Sequence, residues 1–212
     1  MKDKLTAVIP VRKGSQRVKN KNFKRFSKKN LLIYKIQILK KIKHIDKIII
    51  NTDSDKAIKI AKDYKIDFFK REKYFASSKC SNSDFWSYVG RTTNSKYILF
   101  TNCTSPLVKE KNYKDLINFF IKNKNQYDSF NTVSLIKDYL YLKKKPLNFK
   151  IGKTPNSQDL PNIFKLNFAI NILPAKLMET KKTLIGRKPY FHLLSDVEGF
   201  DINTPLEFNF AE

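Results

Sequence analysis

Short apolar runs alternate with stretches of helical period over the first two thirds of the chain. The runs Thr6–Val11, Lys47–Asn51, Asp67–Phe69, Tyr97–Thr101 and Ser129–Leu135 read as strands. Between them, Leu31–Ile42, Asp55–Tyr64, Ser83–Thr92 and Tyr113–Asn123 read as helices. Leu32, Ile36 and Leu39 recur at helical spacing in the first, and Ile58, Ile60 and Ala61 do so in the second. Such alternation predicts an α/β fold: a mostly parallel sheet with helices on both faces. Ile48–Ile50 and Ile98–Phe100 are apolar on consecutive residues, as strands buried on both faces require.

The pattern breaks near Asp138. Residues Tyr139–Phe149 read as an extended arm or hairpin, followed by a Gly/Pro/Asn-rich connection to Pro161. The segment 138–161 is either a dimerisation arm, which would make the protein a homodimer, or an ordinary surface loop. The sheet pattern resumes at Leu166–Leu173, and Pro205, with Thr204 as N-cap, opens a short closing helix. No internal repeat interrupts this order, so residues 1–212 are expected to form a single domain.

Composition narrows the classes. Hydrophobic residues make up 41% and aromatics 13%, enough to build a core despite the charge. No apolar run reaches the length of a membrane span, and Met1–Lys4 leads straight into a strand pattern, so a cytoplasmic protein without a membrane partner is expected. Cys80 and Cys103 have no metal-site spacing and make no disulfide framework. The net charge is +24, yet only six of 43 basic residues are arginine. The lysines are scattered, which reads as a solvated coat and not as a specific nucleic-acid surface. The field still favours anionic ligands.

The sharpest chemical feature follows the first strand. The apolar run ends at Pro10, the chain turns at Gly14, and Arg12, Ser15, Arg17 and Lys21 crowd into the next stretch. Neither G-x-x-x-x-G-K-[ST] nor G-x-G-x-x-G is present. Side-chain cations, with Ser15 and the loop amides, are therefore expected to surround a triphosphate at the carboxyl ends of the strands.

In this setting the chain resembles the acylneuraminate cytidylyltransferases (CMP-sialic acid synthetases) along nearly its whole length. Ile9-Pro-Val-Arg-Lys-Gly-Ser-Gln-Arg-Val-x-x-Lys-Asn22 resembles the opening IPARxGSKRxxxKN, and Asn51-Thr-Asp-Ser54 the second strand end. Arg71 with Ala76 resembles RPxxLAxD, Thr104-Ser-Pro-Leu107 resembles TSPLR, and Gln158-Asp-Leu-Pro161 resembles RQDLP. Asn167-x-Ala169 is similar to NGAIY, and Gly199-Phe-Asp-Ile-Asn-Thr-Pro205 to xxDIDTPED.

The resemblance implies a Rossmann-like fold of the nucleotide-diphospho-sugar transferase type. It implies transfer of CMP from CTP to the anomeric hydroxyl of a nonulosonic acid, with release of pyrophosphate, for lipopolysaccharide or capsule synthesis. Arg12, Lys21 and Asp201 would be the catalytic residues. Arg12, Ser15, Arg17, Lys21, Asn22, Arg71 and Ala76 would hold CTP, and Asn102, Gln158 and Asn167 the sugar. Magnesium or manganese would sit on Asp201 and Asn203. Asp53 is either an alternative carboxylate for the ion or the cap of a helix.

The departures from the pattern are equally specific. Asn203 replaces the second aspartate, Val108 replaces the TSPLR arginine, Ser157 stands where RQDLP has arginine, and Phe168 stands at the NGAIY glycine. Ser78 and Glu72 depart from RPxxLAxD. A sugar acid needs a cation for its carboxylate, and Lys165 is one candidate. Tyr190, Phe191 and Phe168 read as core packing more than as contacts to acyl groups. His44 and His192 take no catalytic or metal role. The rival readings are an impaired CTP-binding homologue with a regulatory role and a nucleotidyltransferase for another sugar.

Overall fold

The computed structural model describes residues 4–15 and 17–212; Met1–Asp3 of the opening segment and Gln16 of the first loop lie outside them. The first half contains β1 (Leu5–Val11), a small hairpin of β2 (Arg25–Phe26) and β3 (Lys29–Asn30), α1 (Leu31–Lys40), β4 (Lys47–Thr52), α2 (Asp55–Asp63), β5 (Asp67–Lys70), α3 (Lys73–Ala76) and α4 (Asn82–Thr92). The second contains β6 (Tyr97–Phe100), α5 (Glu110–Asn123), β7 (Ser129–Ile136), a hairpin of β8 (Tyr141–Leu142) and β9 (Lys145–Pro146), β10 (Ile163–Pro174), α6 (Ala175–Lys181), β11 (Pro189–Leu193) and α7 (Pro205–Ala211).

Seven strands form one sheet in the order β11-β7-β10-β6-β1-β4-β5. Only β10 opposes its neighbours, pairing antiparallel with both β6 and β7. The others run one way, so the mostly parallel sheet read from the strand–helix alternation is the sheet that forms. The central strands are the most apolar: Ala7, Val8, Ile9, Ile98 and Leu99 are fully buried. Parallel strands covered by helices on both faces impose that pattern.

Several boundaries follow from local chemistry. Asn30 caps α1, its Oδ1 accepting from Ile33 N at 3.0 Å. The apolar period continues to Ile42, which is buried, but the backbone leaves the helix at Lys40 and Ile42 sits in the following turn. Helix α5 starts at Glu110, earlier than its first apolar residue, because its opening Glu-Lys-Asn is helical without being amphipathic. Thr204 and Glu207 form a reciprocal capping box around Pro205, as the Thr-Pro pair predicts. The arm is a hairpin whose turn, Lys143–Lys144, has positive φ at both residues (47° and 66°). Its Tyr139, Tyr141, Leu142, Leu147 and Ile151 are exposed.

Helices α4 and α6 touch at Gly90. A Cβ there would lie 2.6 Å from Glu179 N and 2.8 Å from Ala175 O, both backbone atoms that cannot swing aside. Gly90→Ala is therefore expected to lower stability by about 1–3 kcal/mol, although alanine gains about 1 kcal/mol in helix propensity. Thermal denaturation checks the sign; an increased melting temperature would mean that the two helices have room to separate.

Candidate functional site

The carboxyl ends of β1, β5 and β6 open on a cleft of about 350 Å³. It gathers Arg12 and Lys21 from the first loop, Asn22 from a single 3-10 turn, and Arg71 just beyond β5. Asn102 follows β6, Asn167 comes from β10, and Asp201 approaches from the C-terminal segment. Residues separated by nearly two hundred positions thus share one wall. A second, larger chamber of about 980 Å³ adjoins it and shares Asn167, Phe168 and Asp201. Asp201 consequently stands where the two chambers meet.

Three bonds bring the C-terminal segment to this place. Ile202 N donates to Thr104 O at 2.8 Å. Lys21 Nζ donates to Ile202 O at 2.5 Å, and Arg17 donates to Asn203 Oδ1 at 2.7 Å. Asn203 in turn donates from Nδ2 to Asp201 Oδ2 at 2.8 Å. The other carboxylate oxygen, Asp201 Oδ1, is buried without a hydrogen-bond partner. That orphan atom suits a cation, because a buried carboxylate oxygen is costly unless something positive faces it. The oxygen of Asn203 accepts from Arg17, so a cation at Asp201 would have to share that oxygen with the guanidinium. Asp53, for its part, accepts from Lys13 N at 2.8 Å and ties down the first loop.

The remaining expected residues are distributed around the cleft. Ser15 lines a smaller hollow of about 210 Å³ that shares Arg12 and adds Lys13 and Lys56. Arg17 is outside the linings of both chambers, and Ala76 is skipped while its neighbours Phe75 and Ser77 face the cleft. Gln158 is exposed on the turn Ser157–Asp159 and lines neither chamber; its carbonyl accepts from Lys137. Asn167 lies at the junction, but its amide is committed: Oδ1 accepts from Thr132 Oγ1 and Ala169 N, and Nδ2 donates to Ser134 Oγ. Val108, at the position of the missing arginine, is 1% exposed and belongs to the core. Lys165 lines the second chamber. Tyr190 stacks on Phe119 at 3.9 Å between centroids, as a core residue, whereas Phe168 faces the cleft.

The electrostatics favour an anion. Arg71 is 7% exposed, donates to Asn51 Oδ1 and Asn51 O at 2.7 Å each, and lies 4.3 Å above the Phe85 ring. Burial pushes its guanidinium down to about 10, with Arg12 adding repulsion, and it remains charged at neutral pH. Burial likewise lowers the Lys21 ammonium; Asp201 opposes that shift and Arg17 adds to it. Cations held this close repel one another until an anion arrives. Cys103, below the cleft, is pushed up to about 12 by burial and is no nucleophile at neutral pH. Both cysteines are free, and among the described residues no cluster of three or more His, Cys, Asp or Glu could hold a metal.

Comparison with known proteins agrees with this geometry. The family described as Cytidylyltransferase matches residues 6–185. The chain belongs to the cytidylyltransferase family. It is 23% identical to a post-translational flagellin modification protein B of Campylobacter coli, over 98% of this chain and 93% of that protein. It is 24% identical to a CMP-N,N'-diacetyllegionaminic acid synthase of Campylobacter jejuni, with the same coverage. An N-acylneuraminate cytidylyltransferase of Escherichia coli is 36% identical over 40% of this chain and 20% of its own length. The fold is that of a CMP:2-keto-3-deoxy-manno-octonic acid synthetase complexed with CTP, at a TM-score of 0.70 and 12% identity, covering 96% and 95% of the two chains. A 4-diphosphocytidyl-2C-methyl-D-erythritol synthase of Anaerococcus prevotii gives 0.69 at 14% identity, covering 99% and 94%. This cytidylyltransferase is thus a CTP-dependent nucleotidyltransferase.

Two supports of the cytidylyltransferase cleft were not assigned from the sequence. Asn51, near the end of β4, orients Arg71; its signals were a short polar residue closing a strand and its place in the Asn51–Ser54 match, neither of which named this role. Lys35 of α1 is 1% exposed and has no acidic partner. Its Nζ donates to Ser105 O at 3.1 Å and to Tyr113 Oη at 2.5 Å. Tyr113 Oη meets Thr101 Oγ1, which donates to Ala169 O. The signal was there: Lys35 falls on the buried face of α1 beside Leu31, Leu32, Ile36 and Leu39. Lys35→Met should keep the fold but loosen the Thr101–Ser105 turn. CTP binding is expected to weaken roughly tenfold, about 1.4 kcal/mol, by calorimetric titration; unchanged affinity would make Lys35 purely a packing residue.

Proposed function

We propose that the chain transfers CMP from CTP to the anomeric hydroxyl of a nonulosonic acid, releasing pyrophosphate. The observation that carries this reading is the unbonded Asp201 Oδ1 on the wall between a cationic chamber and a second chamber. The first chamber takes the nucleotide: Arg12 and Lys21 face the phosphates, and Arg71 with Asn22 and Asn102 is placed for base and ribose. The second takes the acid, with Lys165 as the available cation for its carboxylate. Two relatives with full-length matches, one named for synthesis of CMP-N,N'-diacetyllegionaminic acid, support this acceptor class.

In the reaction the acceptor hydroxyl releases its proton to solvent, its oxygen bonds to the α-phosphorus, and the bond from that phosphorus to the pyrophosphate oxygen breaks. Arg12 and Lys21 stabilise the charge gathering on the leaving phosphates, and the clamp on Ile202 keeps Asp201 in line. A magnesium or manganese ion held at Asp201 Oδ1 would add positive charge beside the phosphates when bound. The arm 138–161, with its exposed Tyr139, Tyr141 and Leu142, is the surface we assign to a homodimer. Among the described residues no helix is long and apolar enough to cross a membrane, and a cytoplasmic site of action fits a reaction that consumes CTP.

A second reading, a CTP-binding homologue with slow turnover, is favoured by the single carboxylate and by the engagement of Asn203 with Arg17. Pyrophosphate release with CTP, magnesium and a panel of nonulosonic acids separates the two. Asp201→Asn is expected to reduce kcat by about 10²-fold or more, and a chelator should do the same. CTP binding with no pyrophosphate from any acid would leave only the second reading.

Lys21 sets a pH dependence. Its charged form faces the phosphates and burial lowers its pKa from 10.5, so activity is lost as pH rises through that lowered value. The alkaline limb of kcat/KM should therefore fall below the pH of an ordinary lysine. Lys21→Arg is expected to move the limb upward; a limb that stays in place belongs to another group.

A further inference from the structure

Phe168 adopts a left-handed backbone, φ 53°, in the bulge where β10 changes register between Leu166 and Asn171. That region suits glycine and strains a bulky side chain, so something must hold this residue there. The hold is visible. The Phe168 carbonyl accepts from Asn171 Nδ2 at 3.2 Å and from Asn102 Nδ2 at 3.5 Å. Asn167, one residue earlier, is bonded to Thr132, Ser134 and Ala169. The polar atoms of this wall are therefore engaged with one another, and what the wall presents to a ligand is a ring. That ring borders both chambers and lies 6.1 Å from the ring of Trp86.

The geometry points to Phe168 as a specificity-determining residue for the acceptor. Its ring, backed by Trp86, selects a sugar acid whose edge at the junction is apolar, deoxy or acylated, over one with free hydroxyls there. This rests on the assignment of the two chambers made above. A hydroxyl pressed against the ring gives up its water and finds the Asn167 amide and the Phe168 carbonyl beside it already bonded. A methyl or acyl group packs on the ring without that cost. Phe168 packs against the core, as expected from the sequence, and lines both chambers as well.

The test uses the full chain with CTP and paired sugar acids that differ in carrying methyl for hydroxymethyl, or acylamido for hydroxyl. Pyrophosphate release gives kcat/KM, and titration of the same acids into CTP-loaded protein without divalent ion gives affinity. The wild type is expected to prefer the apolar member by about tenfold or more. Phe168→Gly, which relieves the backbone, should reduce the preference to within about threefold. Phe168→Asn, which tolerates the same backbone, should abolish or reverse it. Melting temperatures show that each variant is folded. If pyrophosphate forms but the preference is the same in wild type and both variants, or absent from the wild type, Phe168 has no such role and the transfer reading stands. If the acids bind with the expected preferences but no pyrophosphate forms, the transfer reading falls and Phe168 keeps its role. If no acid binds, both fall.

Discussion

The site exists because the backbone of Ile202 is gripped on both sides. Its N–H donates to the carbonyl of Thr104 after β6, and its carbonyl accepts from Lys21 in the loop after β1. Neither β1 nor β6 carries a carboxylate into the cleft. The acid arrives on a segment that belongs to no strand, and these bonds, with that of Arg17 to Asn203, fix its position relative to the cations. Lys21 is therefore more than a charge: one ammonium lines the first chamber and holds the chain that brings Asp201. Such double use explains why it is partly buried at some cost to its own protonation.

Beneath this clamp lies a second one, built from a charge where a hydrophobic residue would be the ordinary choice. Lys35 ties α1 to the Thr104–Ser105 turn, and through Tyr113 and Thr101 it reaches the Ala169 carbonyl in the β10 bulge. An unpaired buried ammonium is unfavourable for folding. Its benefit here is directional: two donated bonds, to Ser105 O and Tyr113 Oη, connect the walls of the cleft to the helix behind them, which a leucine cannot do. The bulge so held is the one that carries Asn167 and the strained Phe168, so the positions of both chamber walls trace back to α1.

The central strands and the turn at Gly14 were legible in the sequence because each signal is local. Consecutive apolar residues mark a strand buried on both faces, and Gly14 among basic residues marks a turn toward an anion. The Thr204-Pro205 pair announced its helix for the same reason. What escaped was set by tertiary contact. Helix α6 and strand β11 carry no strong period of their own; β11 is an edge strand whose Phe191 and Leu193 are exposed. The bulge in β10 arises from how Asn167 and Asn171 bond across the sheet, which no spacing encodes. The bond from Arg17 to Asn203 escaped because the two residues lie 186 positions apart.

The same exchange explains how the chain keeps one carboxylate where its family pattern has two. A second aspartate at position 203 would repel Asp201 whenever no cation lay between them, and would need that cation to be stable. Asn203 removes the repulsion and donates to Asp201 Oδ2, while Arg17 takes its oxygen. The resulting chain of Arg17, Asn203 and Asp201 orients a single carboxylate without a metal and leaves Oδ1 free of competing donors. In a protein with a net charge of +24, negative groups near the cleft are the scarce ones. Aiming one carboxylate oxygen well is then a more stable solution than crowding two like charges together.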